Sequence, residues 1–250
     1  MIKRAMVVAP HCDDEVLGVG GYIAKLSESG TEVYVLIMCD RSEGHAYQPR
    51  LIDYLHKCAR KACCDVLGAK DVFFAHLREE RLDTCLSDVI VPMEKHIALL
   101  RPDLLFLPWR GDANQDHRAV YEAGLVSSRT LGNWEDKFSD EELPPEPAGW
   151  TQANKQPGRY NVRKVLHYEV PSTTEQGPPL AEWCFNPNVF VDITGTIDKK
   201  VEALKCYDTE IAEFPFPRSE GGLRALAATR GMACAVAAAE AFVLKREIVF

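Results

Sequence analysis

The chain has 250 residues, 46% of them hydrophobic and 26% charged, with 16 glycines and 15 prolines. That balance is ordinary for a globular protein and excludes a disordered chain, a collagen and a small disulfide scaffold. A formal charge of −8, from 29 basic and 37 acidic residues, argues against nucleic acid as a partner, because a phosphate backbone needs a basic footprint.

Nine cysteines, with Cys63 and Cys64 adjacent and no CxxC pair, fit neither an oxidised framework nor a zinc knuckle. Most are expected to be small buried side chains in a reducing compartment. The opening MIKRAMVVAP enters an apolar strand of about five residues, too short for a signal-peptide core. A cytoplasmic protein is the expectation. Ala225 to Leu244 is interrupted by Arg230 and Glu240, so no integral membrane segment is expected.

In chain order, apolar runs predict strands at Ala5 to Ala9, Val33 to Cys39, Val72 to Leu77 and Leu104 to Pro108. Between them, Glu15 to Glu28, Pro49 to Leu67 and Ser87 to Leu100 carry apolar residues at helical spacing, with stops at Ser29-Gly30 and Gly68. This alternation is the signature of βαβ units. A fourth helix follows Gln115 to about Arg129, and Gly132 to Tyr160 then loses all periodicity. Residues 132–160 read as a surface insertion or flap over the site mouth, with Trp134 and Trp150 on it. Strands at Lys164 to Val170 and Asn188 to Ile193 precede helices from Thr196 to Ile211 and from Gly221 to Lys245. The fold class is therefore α/β: one Rossmann-like domain over 1–250, a mostly parallel sheet flanked by helices, with an elaborated C-terminal third.

The chemistry gathers at two turns. The first strand runs into Pro10-His11-Cys12-Asp13-Asp14-Glu15, and the fourth into Trp109-Arg110-Gly111-Asp112-Ala113-Asn114-Gln115-Asp116-His117. In a sheet ordered 3-2-1-4 these turns flank the topological switch point, where open α/β sheets bind ligands. His11, Asp14 and His117 can aim at one point, and two histidines with one carboxylate leave an open position on a catalytic zinc. Asp13 is then left as a base, and Asp116 can orient a ring nitrogen. Acidic residues also suit a helix N-terminus, but capping does not explain the second cluster. Gly18, Gly20 and Gly21 lack the spacing of a dinucleotide fingerprint and read as close helix–sheet packing.

These residues resemble the PIG-L, or LmbE-like, superfamily of zinc-dependent N-deacetylases, known for a PHxDDE-type motif after the first strand and a later HxDH-type motif. Here PHCDDE matches fully and Asn-Gln-Asp-His matches at its last two positions. Further similar segments are Glu80-Arg81-Leu82-Asp83, Gly111 to Asn114, His167-Tyr168-Glu169-Val170, Phe185 to Asp192, Pro215 to Ser219 and Ala239 to Phe242, so the likeness runs essentially end to end. The resemblance implies His11, Asp14 and His117 as ligands of Zn2+, or of another divalent metal such as Fe2+, with Asp13 as base. It alone orders the two adjacent carboxylates.

Two positions depart from the pattern: Asn114 stands where the first histidine of HxDH is expected, and Phe216 where a PHPRS-like segment has one. They leave the general acid open. Asn114 can stabilise an oxyanion by donating a hydrogen bond. Arg41, Arg50, Arg81 and Arg218 are candidates for gripping substrate, and Trp109 for stacking on a sugar ring.

The implied reaction removes an acetyl group from an N-acetylated amino sugar, free or linked to a nucleotide, lipid or glycoside. The alternatives are an amidase for a non-sugar or thiol-conjugated amide and a sugar-binding relative without catalysis. The oligomeric state is not legible.

Overall fold

The structure is a computed structural model and describes residues 2–40, 49–129, 138, 142–147, 149, 150 and 160–249. Its first half follows the expected alternation: β1 (Arg4–Ala9), α1 (Asp14–Glu28), β2 (Glu32–Asp40), α2 (Pro49–Arg60), β3 (Asp71–Arg78), α3 (Leu86–Leu100), β4 (Leu104–Pro108) and α4 (Gln115–Ser127). The last turns of the expected second helix are π-helical, Lys61–Val66. Then come β5 (Lys164–Tyr168), β6 (Val189–Asp192), α5 (Ile197–Lys205), α6 (Glu220–Met232) and β7 (Ala239–Glu247). The strands form one sheet in the order β3-β2-β1-β4-β5-β7-β6. β1 to β5 are parallel, and β7 runs antiparallel to both β5 and β6.

The central strands are buried on both faces because each face is covered by helices, which is why they read as continuous apolar runs rather than alternating ones. Val7, Ala9, Val33, Val35 and Ile37 point into a core completed by α1, α2 and α5. Met6, Val8, Leu36 and Met38 point into the opposite core, under α3 and α4. Gly30 and Gly68 stop their helices with φ of +86° and +82°, a conformation that costs glycine little. The glycines of α1 serve packing, as expected: a Cβ on Gly18 would come 2.2 Å from the Tyr168 ring, and one on Gly21 2.7 Å from Ile193.

The C-terminal third is where the structure corrects the sequence reading. The helix expected from Gly221 to Lys245 stops at Met232, and the alanine-rich stretch after it becomes β7. Helical propensity is a weak prior, and it yields here to two open strand edges: β7 fills the slot between β5 and β6 and bonds to both. The helix expected to reach Ile211 likewise ends at Lys205, because Tyr207 turns inward and its hydroxyl donates to the buried Glu15.

Most of the 132–160 insertion, Trp134 included, lies outside the described residues. Trp150 is described and sits at the amino ends of the strands, its indole N–H donating to the Tyr34 hydroxyl at 3.0 Å under the Arg4 guanidinium. All nine cysteines are free thiols; Cys12, Cys39, Cys58 and Cys63 are buried, whereas Cys85, Cys184 and Cys234 are exposed. Among the described residues no helix is long and apolar enough to cross a membrane.

β7 is tied to α1 by one buried polar knot. The Glu240 carboxylate accepts from the Gly21 and Tyr22 amides at 2.8 Å each and from Lys200 Nζ at 2.7 Å, with Lys200 and Glu240 both about 4% exposed. Lys200→Met strands the carboxylate without its cation and is expected to lower the unfolding free energy by about 3–5 kcal/mol. Urea denaturation followed by circular dichroism measures it, and a loss under about 1 kcal/mol would contradict this role for the pair.

Candidate metal centre

The strand-to-helix turn after β1 is unusual in its backbone. Asp13, the residue before α1, has φ +105° and ψ −29°, a conformation that costs a non-glycine residue about 1–3 kcal/mol and recurs where function demands it. The turn is closed by Asp14, whose Oδ2 accepts from the His11 amide at 2.9 Å, and by Glu15, which accepts from the Asp13 amide at 3.2 Å. On the other side of the switch point, Asn114 caps α4 by accepting from the Asp116 amide at 2.8 Å. That cap places His117 in the first turn of α4, facing His11.

Three atoms meet between the turns. His11 Nδ1 and Asp14 Oδ2 are 3.3 Å apart, His117 Nε2 and Asp14 Oδ2 3.2 Å, and His117 Nε2 and His11 Nδ1 3.3 Å. Zinc–nitrogen and zinc–oxygen bonds of about 2.0–2.1 Å imply a tetrahedral edge of about 3.3–3.4 Å. The triangle therefore has the dimensions of one face of such a site, with the fourth direction open to the cavity. These residues fit a divalent metal in donor type and in spacing.

Each histidine is held by a second carboxylate on its far nitrogen. His11 Nε2 lies 3.1 Å from Asp116 Oδ2, and Asp116 is itself fixed by the Glu80 and Leu82 amides at 2.6 and 3.2 Å. Asp116 thus orients His11, the more distant histidine in sequence, and not its neighbour His117. His117 Nδ1 lies 3.2 Å from Asp112 Oδ2, which accepts from the hydroxyls of Thr173 and Thr174 at 2.9 and 2.7 Å. Asp112 was not singled out as a site residue in the sequence reading, although it stands inside the Gly111 to Asn114 segment. Only the fold brings it to the Thr173 turn.

The charge states follow from this crowding. Burial lifts the Asp14 carboxyl, but His117 and His11 outweigh it and hold Asp14 well below the usual carboxylate range. Burial disfavours a charged His117, yet Asp14 and Asp112 push it up to about 9. His11 is likewise raised well above its ordinary value, Asp116 and Asp14 overcoming burial. Asp13 moves the other way: burial pushes it up to about 8, opposed by Arg218 and reinforced by Asp14.

A cavity of about 460 Å³ opens onto the triangle, with Asp13, Glu79, Asn114, Glu210, Phe216 and Arg218 among its walls. Arg218 does reach the site, but its guanidinium is turned onto Asp13 Oδ2 at 3.0 Å and onto the Ser172 hydroxyl at 2.9 Å. Trp109 packs beside the site: its indole N–H donates to the Trp183 carbonyl at 2.7 Å, and its ring meets Phe185, His167 and Tyr121 edge-on. Arg50 and Arg81 are exposed and are not among the cavity walls, and Arg41 lies outside the described residues. Glu79 and Glu210 were missed because neither is marked by type alone: Glu79 stands between the expected strand Val72 to Leu77 and the Glu80 to Asp83 segment, and Glu210 in the helix expected to run to Ile211.

Comparison with known proteins sets relatives beside this geometry. Residues 6–127, which span both ligand-bearing turns, match the family model PIG-L, described as GlcNAc-PI de-N-acetylase. Diacetylchitobiose deacetylase of Thermococcus kodakarensis is 24% identical over 242 residues, covering 90% of this chain and 77% of that protein. Among solved structures, N,N'-diacetylchitobiose deacetylase of Pyrococcus horikoshii superposes with a TM-score of 0.73 at 22% identity, over 97% of this chain and 84% of its own. GalB, the 4-carboxy-2-hydroxymuconate hydratase of Pseudomonas putida, superposes with a TM-score of 0.69 at 20% identity, over 99% and 98%. The last two establish a shared fold, and the stretch that matches the PIG-L family model, residues 6–127, covers the turns that carry His11, Asp14 and His117.

Proposed function

We propose that this protein is a divalent-metal-dependent N-deacetylase that hydrolyses the acetamide of an N-acetylated amino sugar, releasing acetate and the free amine. The observation that carries the reading is the triangle of His11, Asp14 and His117 opening onto a cavity whose wall includes Asp13. A relative named diacetylchitobiose deacetylase supports the sugar class. So does the cavity: among the described residues Arg218 is its one arginine or lysine, and Asp13 and Glu210 hold it. Such walls favour a neutral, hydroxyl-rich ring over a highly phosphorylated group.

When bound, the divalent ion supplies a Lewis acid for the acetyl carbonyl and an acidified water. The chain supplies the rest. Asp13, fixed by Arg218, takes the proton of the attacking water and returns one to the departing amine, acting as base and then as acid. This resolves the vacancy left by Asn114 and Phe216 without a histidine. The Asn114 side-chain oxygen is engaged by the α4 cap, which leaves its amide N–H groups to donate to the oxyanion as charge develops. GalB shares the fold and has a different reaction in its name, so turnover is the deciding test. The protein is incubated with a pool of N-acetylated sugars, nucleotide sugars and simple acetamides, and mass spectrometry follows loss of the acetyl group. Loss confined to sugars supports the proposal; loss confined to non-sugar amides, or binding without loss, refutes it.

Three variants divide the roles. Asp112→Asn removes the charge behind His117 and is expected to weaken divalent-metal binding about 10–100-fold, read by metal analysis after equilibrium dialysis. Asp13→Asn, chosen because asparagine tolerates the left-handed backbone, should retain metal while kcat falls about 100-fold or more. If metal content falls in step with activity, Asp13 is a ligand. Asn114→Ser keeps a good helix cap but cannot donate as far into the cavity, so Tm should hold while kcat drops about 100-fold. An unchanged kcat would remove Asn114 from the oxyanion role.

A further inference from the structure

A second group of metal-ligand side chains stands on the same edge of the sheet. Asp40 ends β2, His56 lies on α2 and His76 on β3. Asp40 Oδ1 is 2.7 Å from His56 Nε2, and Asp40 Oδ2 is 2.8 Å from His76 Nδ1. One ligand atom from each residue lies within 4.8 Å of the other two. None of the three lines the cavity that opens onto His11, Asp14 and His117.

A hydrogen bond from one histidine would be enough to settle the Asp40 carboxylate. The local backbone does more than that. β2 and β3 are in register at Ile37 with Phe74 and again at Cys39 with Leu77, so two steps on β2 are matched by three on β3. The extra residue makes a bulge, a device that re-aims side chains near functional sites. Within it His76 has φ +55°, a left-handed conformation uncommon for a residue other than glycine. The strand thus adopts an unfavourable backbone where an imidazole meets Asp40. His56 is set by a different means, its ring stacked on Phe74 at 3.8 Å between centroids. The His56 and Asp40 side chains are 18% and 20% exposed, and that of His76 is 63% exposed. Two ligands are therefore pre-positioned, and the third stands at an open rim where an ion can enter.

We infer that Asp40, His56 and His76 form a second site for a borderline divalent transition ion such as Zn2+, Co2+ or Ni2+, separate from the His11–Asp14–His117 centre. Two imidazoles and one carboxylate suit these ions, whereas Mg2+ and Ca2+ favour all-oxygen sets. The ion replaces two hydrogen bonds of Asp40 and has one solvent-facing ligand, so it binds more weakly than at the buried triangle. Bound there, it ties α2 to β2 and to the edge strand β3.

The test titrates metal-free protein with Co2+, reading stoichiometry by equilibrium dialysis and metal analysis and coordination by visible absorption. Wild-type protein is expected to take up two equivalents with separable affinities. His76→Asn, in which asparagine accepts the same positive φ, should weaken one equivalent about tenfold or more and leave the other unchanged. His117→Asn should do the reverse, so that each site is read without the other. His56→Asn provides a second variant on α2, in a different element. Uptake with unchanged stoichiometry and affinities in both His76→Asn and His56→Asn would overturn the inference. So would a wild-type protein whose only equivalent disappears in His117→Asn.

Discussion

The molecule is organised around bringing two histidines and a carboxylate to within 3.3 Å of one another at a place where no single element could supply them. His11 and Asp14 come from the turn between β1 and α1, and His117 from the first turn of α4. The two turns are adjacent only because β4 pairs with β1 on the side away from β2. The switch point therefore fixes the separation of these positions before any side chain is chosen. What remains is done by backbone strain at Asp13 and by the Asn114 cap, which set how each of these side chains leaves its turn.

That arrangement concentrates negative charge where water cannot screen it. Asp13, Asp14, Glu15, Asp112 and Asp116 are all buried, with His11, His117 and Arg218 as the cations that face them. Burying carboxylates without compensation is expensive, and the protein answers in two ways. His11 and His117 are held toward their protonated forms, whereas Asp13 and Glu15 are raised, Glu15 to about 7 by burial against the pull of Tyr207. A divalent ion at the triangle would compensate the same carboxylates and displace protons from both imidazoles, so its affinity must rise with pH through the histidine range.

How much of this was legible in the sequence differs by element, for physical reasons. β1 to β4 and their helices are stabilised largely by local alternation and by burial on both faces, so each announced itself as an apolar run with a stop, and their order 3-2-1-4 is the observed one. β7 did not, because Ala-Glu-Ala-Phe-Val-Leu has no strand-specific pattern. It becomes a strand through ladder bonds to β5 and β6, partners about eighty and fifty residues away along the chain. The site divides in the same manner. His11, Asp13, Asp14 and His117 sit in compact motifs and were visible. The partners that orient them were visible only as residue types, since whether Asp116 serves His117 or His11 is decided by the direction α4 enters its first turn. Arg50, Arg81, Arg218 and Trp109 show the limit from the other side: type and neighbourhood suggested contact with substrate, but long side chains find their partners in three dimensions, and of these four described residues Arg218 alone lines the cavity.

A fold shared with a named hydratase as well as with named deacetylases makes clear that the sheet supplies a place and not a reaction. In this chain the reaction must be read from what lies beside the triangle. The two positions where the resemblance led one to expect a histidine, Asn114 and Phe216, both line the cavity, so their effect is on the chemistry there. Neither side chain can carry a proton between pH 5 and 8, the interval in which a histidine would have changed charge. In the proposed reaction the proton traffic falls on Asp13, whose carboxyl burial raises while Arg218 keeps it aligned. A carboxyl so lifted gains basicity that an ordinary aspartate lacks, and with it the capacity to accept a proton in one half of a hydrolysis and donate it in the other. In the proposed reaction, burial of the β1–α1 turn is thus also what equips Asp13, next to the triangle, to act without a histidine at position 114 or 216.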